Sequence, residues 1–297
     1  MVFTLRYSKT ARAEAAALLT PPTPETARAA RALSAVMLMG VLGTLGALVG
    51  CAAPGVADDA SITGSIQTPS DDSEERRRAR TRLALASGYF ENRQYTVALD
   101  EIKKVLQIDP GFGDAYNLSG MIHMAMRDLQ VAEANFQRAI SLNARDANAL
   151  HNLGWLQCEL RRYPEAIQSF QRAMAVPGYP DRARTLLTQG ICEARSGDRA
   201  AAEASLMRSY ELDAGNPVTG YNLSQLLYLR GDYPRAQFYI RRLNNSENAN
   251  AESLWLGIKV ERRMNNAQAM QQLASQLYRR YPQSRELQSY ERGSFDD

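Results

Sequence analysis

Three cysteines and two histidines are the side chains of this 297-residue sequence with the most reactive chemistry to offer. Cys158 and Cys192 are not in a Cys-x-x-Cys pair, and each sits in an apolar, helix-forming segment rather than an exposed electropositive one. That is a poor setting for a nucleophilic thiolate. A zinc set of His151, Cys158 and Cys192 would lack a fourth ligand and the usual ligand spacing, so neither a metal nor a cofactor is expected. The sequence contains no glycine-rich phosphate loop, no Gly-x-Ser-x-Gly elbow and no carboxylates paired in a cleft-forming pattern. An enzyme, and with it a small-molecule substrate, is therefore not expected. In an oxidising compartment Cys158 and Cys192 would form a disulfide if their Cα atoms came within about 7 Å, a distance that sequence does not give.

The third cysteine carries a different chemistry. Residues 32–50 (ALSAVMLMGVLGTLGALVG) are uncharged, follow Arg28 and Arg31, and end in Leu48-Val49-Gly50-Cys51. A basic residue, an apolar run and small residues before a cysteine resemble the bacterial lipobox. There the cysteine is acylated on sulfur and becomes the first residue of the mature chain. An uncleaved membrane span is the alternative, but the cysteine stands where cleavage would fall and the run is rich in glycine. Residues 1–50 thus read as a cleaved signal peptide and Cys51 as the lipidation site. Ala52, where an aspartate would retain the protein in the inner membrane, implies sorting to the outer membrane of a Gram-negative bacterium. Residues 51–78 read as the lipidated cysteine and a tether rich in Gly, Ser, Pro and Asp; the basic run Arg76, Arg77, Arg78, Arg80 and Arg82 at its end reads either as a contact for lipid phosphates or as a solvated first helical turn behind Asp71, Asp72, Glu74 and Glu75. A flexible leash of ~24 residues spans roughly 27 Å.

Charge excludes another class of partner. The net +3 arises in residues 1–50, which hold five Lys/Arg and two Glu, and the remainder carries 30 basic and 30 acidic residues. A balanced chain without a basic face gives no case for nucleic acid.

The elements that position these residues recur with a period of 34. Gly197-Asp198 and Gly231-Asp232 are 34 apart, with Ala202 and Ala236 following each at the same offset. Units laid at 79–112, 113–146, 147–182, 183–216, 217–250 and 251–284 place Ala86, Gly120, Gly154, Gly190 and Ser224 at the eighth position, with Ile258 the exception. The twentieth position reads Ala98, Ala132, Ala166, Ala202, Ala236 and Met270. Small residues at those places let two antiparallel helices of one unit approach closely. The pattern resembles the tetratricopeptide repeat, which implies an all-α fold, a right-handed superhelical solenoid of six helix-turn-helix units, with residues 285–297 as a C-terminal tail. Two extra residues around Pro177-Gly178-Tyr179-Pro180 are expected to loosen the third junction, and the sixth unit reads as a terminal repeat drifting to larger residues.

In that repeat family the first helices line a concave groove. The groove positions here are Met121, Met124, Trp155, Leu187, Ile191, Tyr221, Tyr228 and Trp255, apolar and aromatic anchors for a partner peptide. Asn117, Asn152 and Asn222 lie beside them, either as donors and acceptors for a ligand backbone or as solvated groove residues. Lys259, Arg262 and Arg263 form a basic rim. His123 falls at an aromatic packing position and reads as a core histidine, whereas His151 is placed toward the groove.

Three segments narrow the resemblance: Glu252-Ser253-Leu254-Trp255-Leu256-Gly257-Ile258, Asn152-Leu153-Gly154 followed by Cys158, and Gly190-Ile191-Cys192 followed by Ser196-Gly197-Asp198. With the lipobox and the long third junction, they resemble the type IV pilus biogenesis and stability lipoproteins, the PilF/PilW pilotin family. The resemblance implies an outer-membrane lipoprotein facing the periplasm and anchored in lipid through acylated Cys51; a monomer is expected, although sequence does not give the oligomeric state. It also implies binding to the pilus secretin subunit, whose outer-membrane localisation and multimerisation it would promote. A disulfide between Cys158 and Cys192 is implied on the same ground. The alternative keeps the fold and compartment and changes the client: a scaffold for β-barrel insertion or for cell-wall enzymes.

Overall fold

The computed structural model describes residues 73–295. The expected signal peptide (1–50), the expected lipidation site Cys51 and most of the expected tether lie outside these residues. Thirteen helices and no strand occur among them: α1 (Glu74–Glu91), α2 (Tyr95–Ile108), α3 (Gly113–Ala125), α4 (Leu129–Leu142), α5 (Ala147–Glu159), α6 (Tyr163–Met174), α7 (Arg182–Ser196), α8 (Arg199–Leu212), α9 (Pro217–Arg230), α10 (Tyr233–Asn244), α11 (Ala251–Arg263), α12 (Ala267–Arg280) and α13 (Arg285–Glu291). Each odd-numbered helix through α11 packs on the helix that follows it, and the pairs stack in chain order.

Helix α1 starts five residues ahead of the expected unit boundary at 79, because Ser73 caps it through Arg76 N (3.2 Å) and Glu74 and Glu75 occupy its first turn. The basic run is thus helical, as the acidic residues ahead of it imply, and only the expected tether bound at 78 moves back to 73. Its cations are engaged: Arg76 with Asp109, Arg77 with Glu74, Arg78 with Glu75 and Arg82 with Glu101. At the other end, part of the expected tail is helix α13, which buries Leu287 against Leu254, Ile258, Ala274 and Leu277 of the sixth unit.

One backbone requirement sets the turn inside every unit. The fifteenth residue has positive φ in all six: Arg93 (60°), Arg127 (66°), Arg161 (59°), Gly197 (91°), Gly231 (85°) and Asn265 (55°). A left-handed residue ends the first helix and reverses the chain. The residue after it caps the second helix, with Asp128, Asp198, Asp232 and Asn266 accepting from backbone N–H groups.

The interior of each pair follows a rule of complementary size. A Cβ built on Gly120 would lie 2.5 Å from Phe136, on Gly154 2.8 Å from Phe170 and on Gly190 2.7 Å from Leu206. All three ring or branched side chains stand at the twenty-fourth position of their units and are buried. In the sixth unit the sizes are exchanged, with Ile258 at the eighth position and Ala274 at the twenty-fourth, both in one buried cluster. The larger residue in unit six is an inversion of the pair, not a loosening of it.

The expected loosening at the third junction does not occur. Tyr179, inside the inserted segment, is buried against Ala147, Leu150 and Ala173 and fills the space that two extra residues open. Its hydroxyl lies 3.0 Å from Thr185 Oγ1 on α7.

Candidate protein-binding face

The first helices α3, α5, α7, α9 and α11 meet edge to edge, and their contacts define the candidate site. Between α3 and α5, Asn152 Nδ2 donates to Asn117 Oδ1 (2.9 Å). Between α5 and α7, Cys158 and Cys192 form a disulfide with Cα atoms 5.8 Å apart, buried beside Phe170 and Ala166. The pair is thus a structural cross-link with no thiolate to offer. The same two helices are joined by Arg195 Nη1 donating to Glu159 Oε1 (2.5 Å), and the Arg195 guanidinium lies 5.0 Å from the Trp155 ring centroid. Cation over an indole face is a favourable geometry that also fixes the ring. Between α9 and α11, Lys259 Nζ stands 5.6 Å from the Tyr228 ring and 5.7 Å from the Trp255 ring.

Most of the expected anchors lie on this face, half-buried: Met121, Met124, Trp155, Ile191, Tyr221, Tyr228 and Trp255. They run from the second unit to the sixth, each leaning on a core cluster beneath it. Leu187 does not belong with them. It is 8% exposed and packs with Leu206, Leu223 and Leu226 between the fourth and fifth units, because its place on α7 faces the neighbouring repeat. The asparagines also differ from one another. Asn117 and Asn152 share one hydrogen bond, and Asn222 Nδ2 donates to Val218 O within its own helix (2.8 Å).

His151, expected toward the groove, is instead buried, with Nδ1 2.9 Å from Thr185 Oγ1 and the ring 5.8 Å from that of Phe170. Burial, aided by the nearby Arg184 charge, lowers its pKa to about 3, so the ring is neutral at physiological pH. His151, Thr185 and Tyr179 form one hydrogen-bonded line across the third junction. His123 is partly exposed, its Nδ1 3.4 Å from Asp128 Oδ2 at the turn of the second unit, rather than sealed in the core.

Two charged residues of the face were missed by a reading attentive to apolar and amide side chains. Glu159 and Arg195 occupy the thirteenth position of consecutive units, and opposite charges at one repeat position are a signal that sequence does carry. Phe295 was missed for another reason: it lies in the tail, outside any repeat phase, yet stacks on Trp255 with centroids 5.2 Å apart.

Paired helices with a left-handed fifteenth residue and a small-to-large interior define a tetratricopeptide-repeat protein, and the tetratricopeptide-repeat family is matched over residues 112–177 and 159–217. The chain is 27% identical over 231 residues to the type IV pilus assembly protein PilF of Pseudomonas aeruginosa, an alignment covering 77% of this chain and 92% of that protein. The crystal structure of PilW, described as a widely conserved type IV pilus biogenesis factor, superposes with a TM-score of 0.66 at 30% identity, over 72% of this chain and 98% of PilW. The solved structure of Pseudomonas aeruginosa PilF gives 0.67 at 25% identity, over 74% and 100%. This chain belongs to the PilF/PilW family of type IV pilus biogenesis proteins.

Proposed function

We propose that the protein is an outer-membrane lipoprotein that binds the pilus secretin subunit, carries it to the outer membrane and promotes its assembly into multimers. The observation that carries this reading is the stripe of half-buried Met, Trp, Tyr and Ile side chains along the first helices of a pilus-biogenesis repeat protein. Such a stripe suits an extended or helical segment of a protein partner, with aromatic rings as anchors. The role is that of a non-enzymatic scaffold. Lipid on Cys51 would confine the bound subunit to a surface, and tethering raises the effective concentration for ring assembly without any new contact. Several acyl chains exceed the single-chain limit for stable anchoring.

The test is deletion of the gene, with the pilus secretin followed by membrane fractionation and detergent-resistant multimer gels, and complementation by wild type, Cys51→Ala and Trp155→Ala. The expected result is loss or inner-membrane misplacement of multimers, rescued by wild type alone. Normal multimers in the outer membrane of the deletion strain overturn the reading. They would direct attention to another envelope client of the same face.

A further inference from the structure

The chain's own end returns to the face just described. After α13 the backbone reverses at Gly293 (φ 70°), Ser294 N donates to Ser289 O (2.9 Å), and Phe295 is carried to α11. Its ring stacks on Trp255 (5.2 Å, interplanar 29°) and meets Tyr290 edge-on (6.1 Å, 86°). The Arg262 guanidinium lies over the same ring, 3.9 Å from its centroid. Lys259, one helical turn along α11 from Trp255, lies over the Trp255 and Tyr228 rings. In sequence, Phe295 is followed by Asp296 and Asp297, while α11 carries Lys259, Arg262 and Arg263.

We propose that Phe295 is an intramolecular occupant of a recognition site on the sixth unit, and that the ligand whose place it holds is a partner peptide with an aromatic side chain flanked by carboxylates. The inference rests on the reading of this face as a peptide site, and it adds the chemistry of one subsite. Trp255 supplies a π-face, Arg262 a cation for the bound ring, and the basic residues of α11 a field that favours acidic neighbours. The tail belongs to this site by position, through Phe295 on Trp255, and by sequence, since two aspartates follow the phenylalanine and α11 is basic. A segment on a short leash is present at high effective concentration, so a partner must displace it, and the apparent affinity of the site falls by the fraction of molecules with the tail seated.

The experiment uses the purified full-length chain and, as probe, a fluorescein-labelled peptide of its own residues 290–297, with fluorescence polarisation as readout. No secretin is present, so the outcome is separate from that of the deletion experiment above. Phe295→Ala is expected to bind the peptide at least about 5-fold more tightly than wild type. Adding Trp255→Leu to Phe295→Ala should abolish the gain. Arg262→Glu, on an exposed side chain, should weaken binding without touching the core, which separates recognition from folding. A control peptide with alanine in place of the phenylalanine should not bind. Equal affinity for wild type and Phe295→Ala overturns the proposal, as does absence of binding up to millimolar peptide or binding that survives both Trp255→Leu and Arg262→Glu.

Discussion

The junction between the third and fourth units and the far side of the sixth unit solve one problem by opposite means. At the junction, α5 and α7 are tied by the Cys158–Cys192 disulfide, by the line from His151 through Thr185 to Tyr179, and by the Arg195–Glu159 pair. At the end, the sixth unit packs on one repeat and on the segment that follows it. It is covered by the seven-residue helix α13, which buries Leu287, and by Phe295 stacked on Trp255. A solenoid contacts only its neighbours, so its interfaces are independently adjustable. The cross-linked junction holds Trp155 and Arg195 in register, while at the end a residue of the tail, Phe295, covers Trp255.

The largest effect expected from breaking this contrast is removal of the disulfide. Closing a loop of 34 residues constrains the unfolded chain by about 3–4 kcal/mol in the loop-entropy account. Cys158→Ser should therefore lower Tm by several degrees under non-reducing conditions and leave the melting curve insensitive to reductant. An unchanged Tm sinks the assignment of the cross-link as a structural tie. A comparable effect is expected at the end from the exchanged size pair. Ile258→Ala should cost about 3 kcal/mol by opening a cavity, and Ala274→Leu alone should cost about 1–3 kcal/mol by overpacking. Together they should cost less than the sum of the two, by a coupling of about 1–3 kcal/mol in a double-mutant cycle. Simple additivity in urea melts would show that the eighth and twenty-fourth positions do not share one space.

The next effect is one of pH and belongs to the junction alone. The folded pKa of His151, about 3, lies below the ordinary 6.5, so the unfolded chain takes up the proton first. Stability is complete above pH 6.5 and declines as pH falls toward 3, because protons favour the unfolded state throughout that window. Between pH 7.5 and 5 the loss is roughly 2 kcal/mol, in a range above the ordinary carboxylate titrations. His151→Gln should flatten this slope in guanidinium melts, whereas an equally steep slope in that variant would place the sensitivity elsewhere.

How much of this was written in the sequence follows from what each residue answers to. Ala98, Ala132, Ala166, Ala202 and Ala236 answer to a helix pair within one unit, so their period of 34 reveals the fold directly. Trp155 and Tyr228 answer to the same period and were found for the same reason. Leu187 and His151 answer to the next unit, and a side chain facing a neighbouring repeat has the same period as one facing solvent, so their burial was not legible. Tyr179 lies in an insertion and Phe295 in the tail, where no period applies, and only their contacts reveal them. The inversion of Ile258 and Ala274 was visible as an exception at one position but needed its partner 16 residues on to be understood.

The smallest expected effect tests the feature common to both regions, the left-handed fifteenth residue. An L-residue with a β-carbon pays a steric penalty there that glycine does not, of order 1 kcal/mol, and glycine's greater freedom in the unfolded chain offsets part of it. Arg161→Gly in the third unit should therefore raise stability by up to about 1 kcal/mol, and Asn265→Gly in the sixth by less, since asparagine tolerates this conformation better. The reverse change, Gly231→Ala, should cost about 1 kcal/mol, although a Cβ there would meet open space. Its effect would be one of backbone conformation alone. If chemical denaturation finds Gly231→Ala neutral, the turn does not depend on positive φ. The shared phase of the six units would then rest on the size pairing of their interiors.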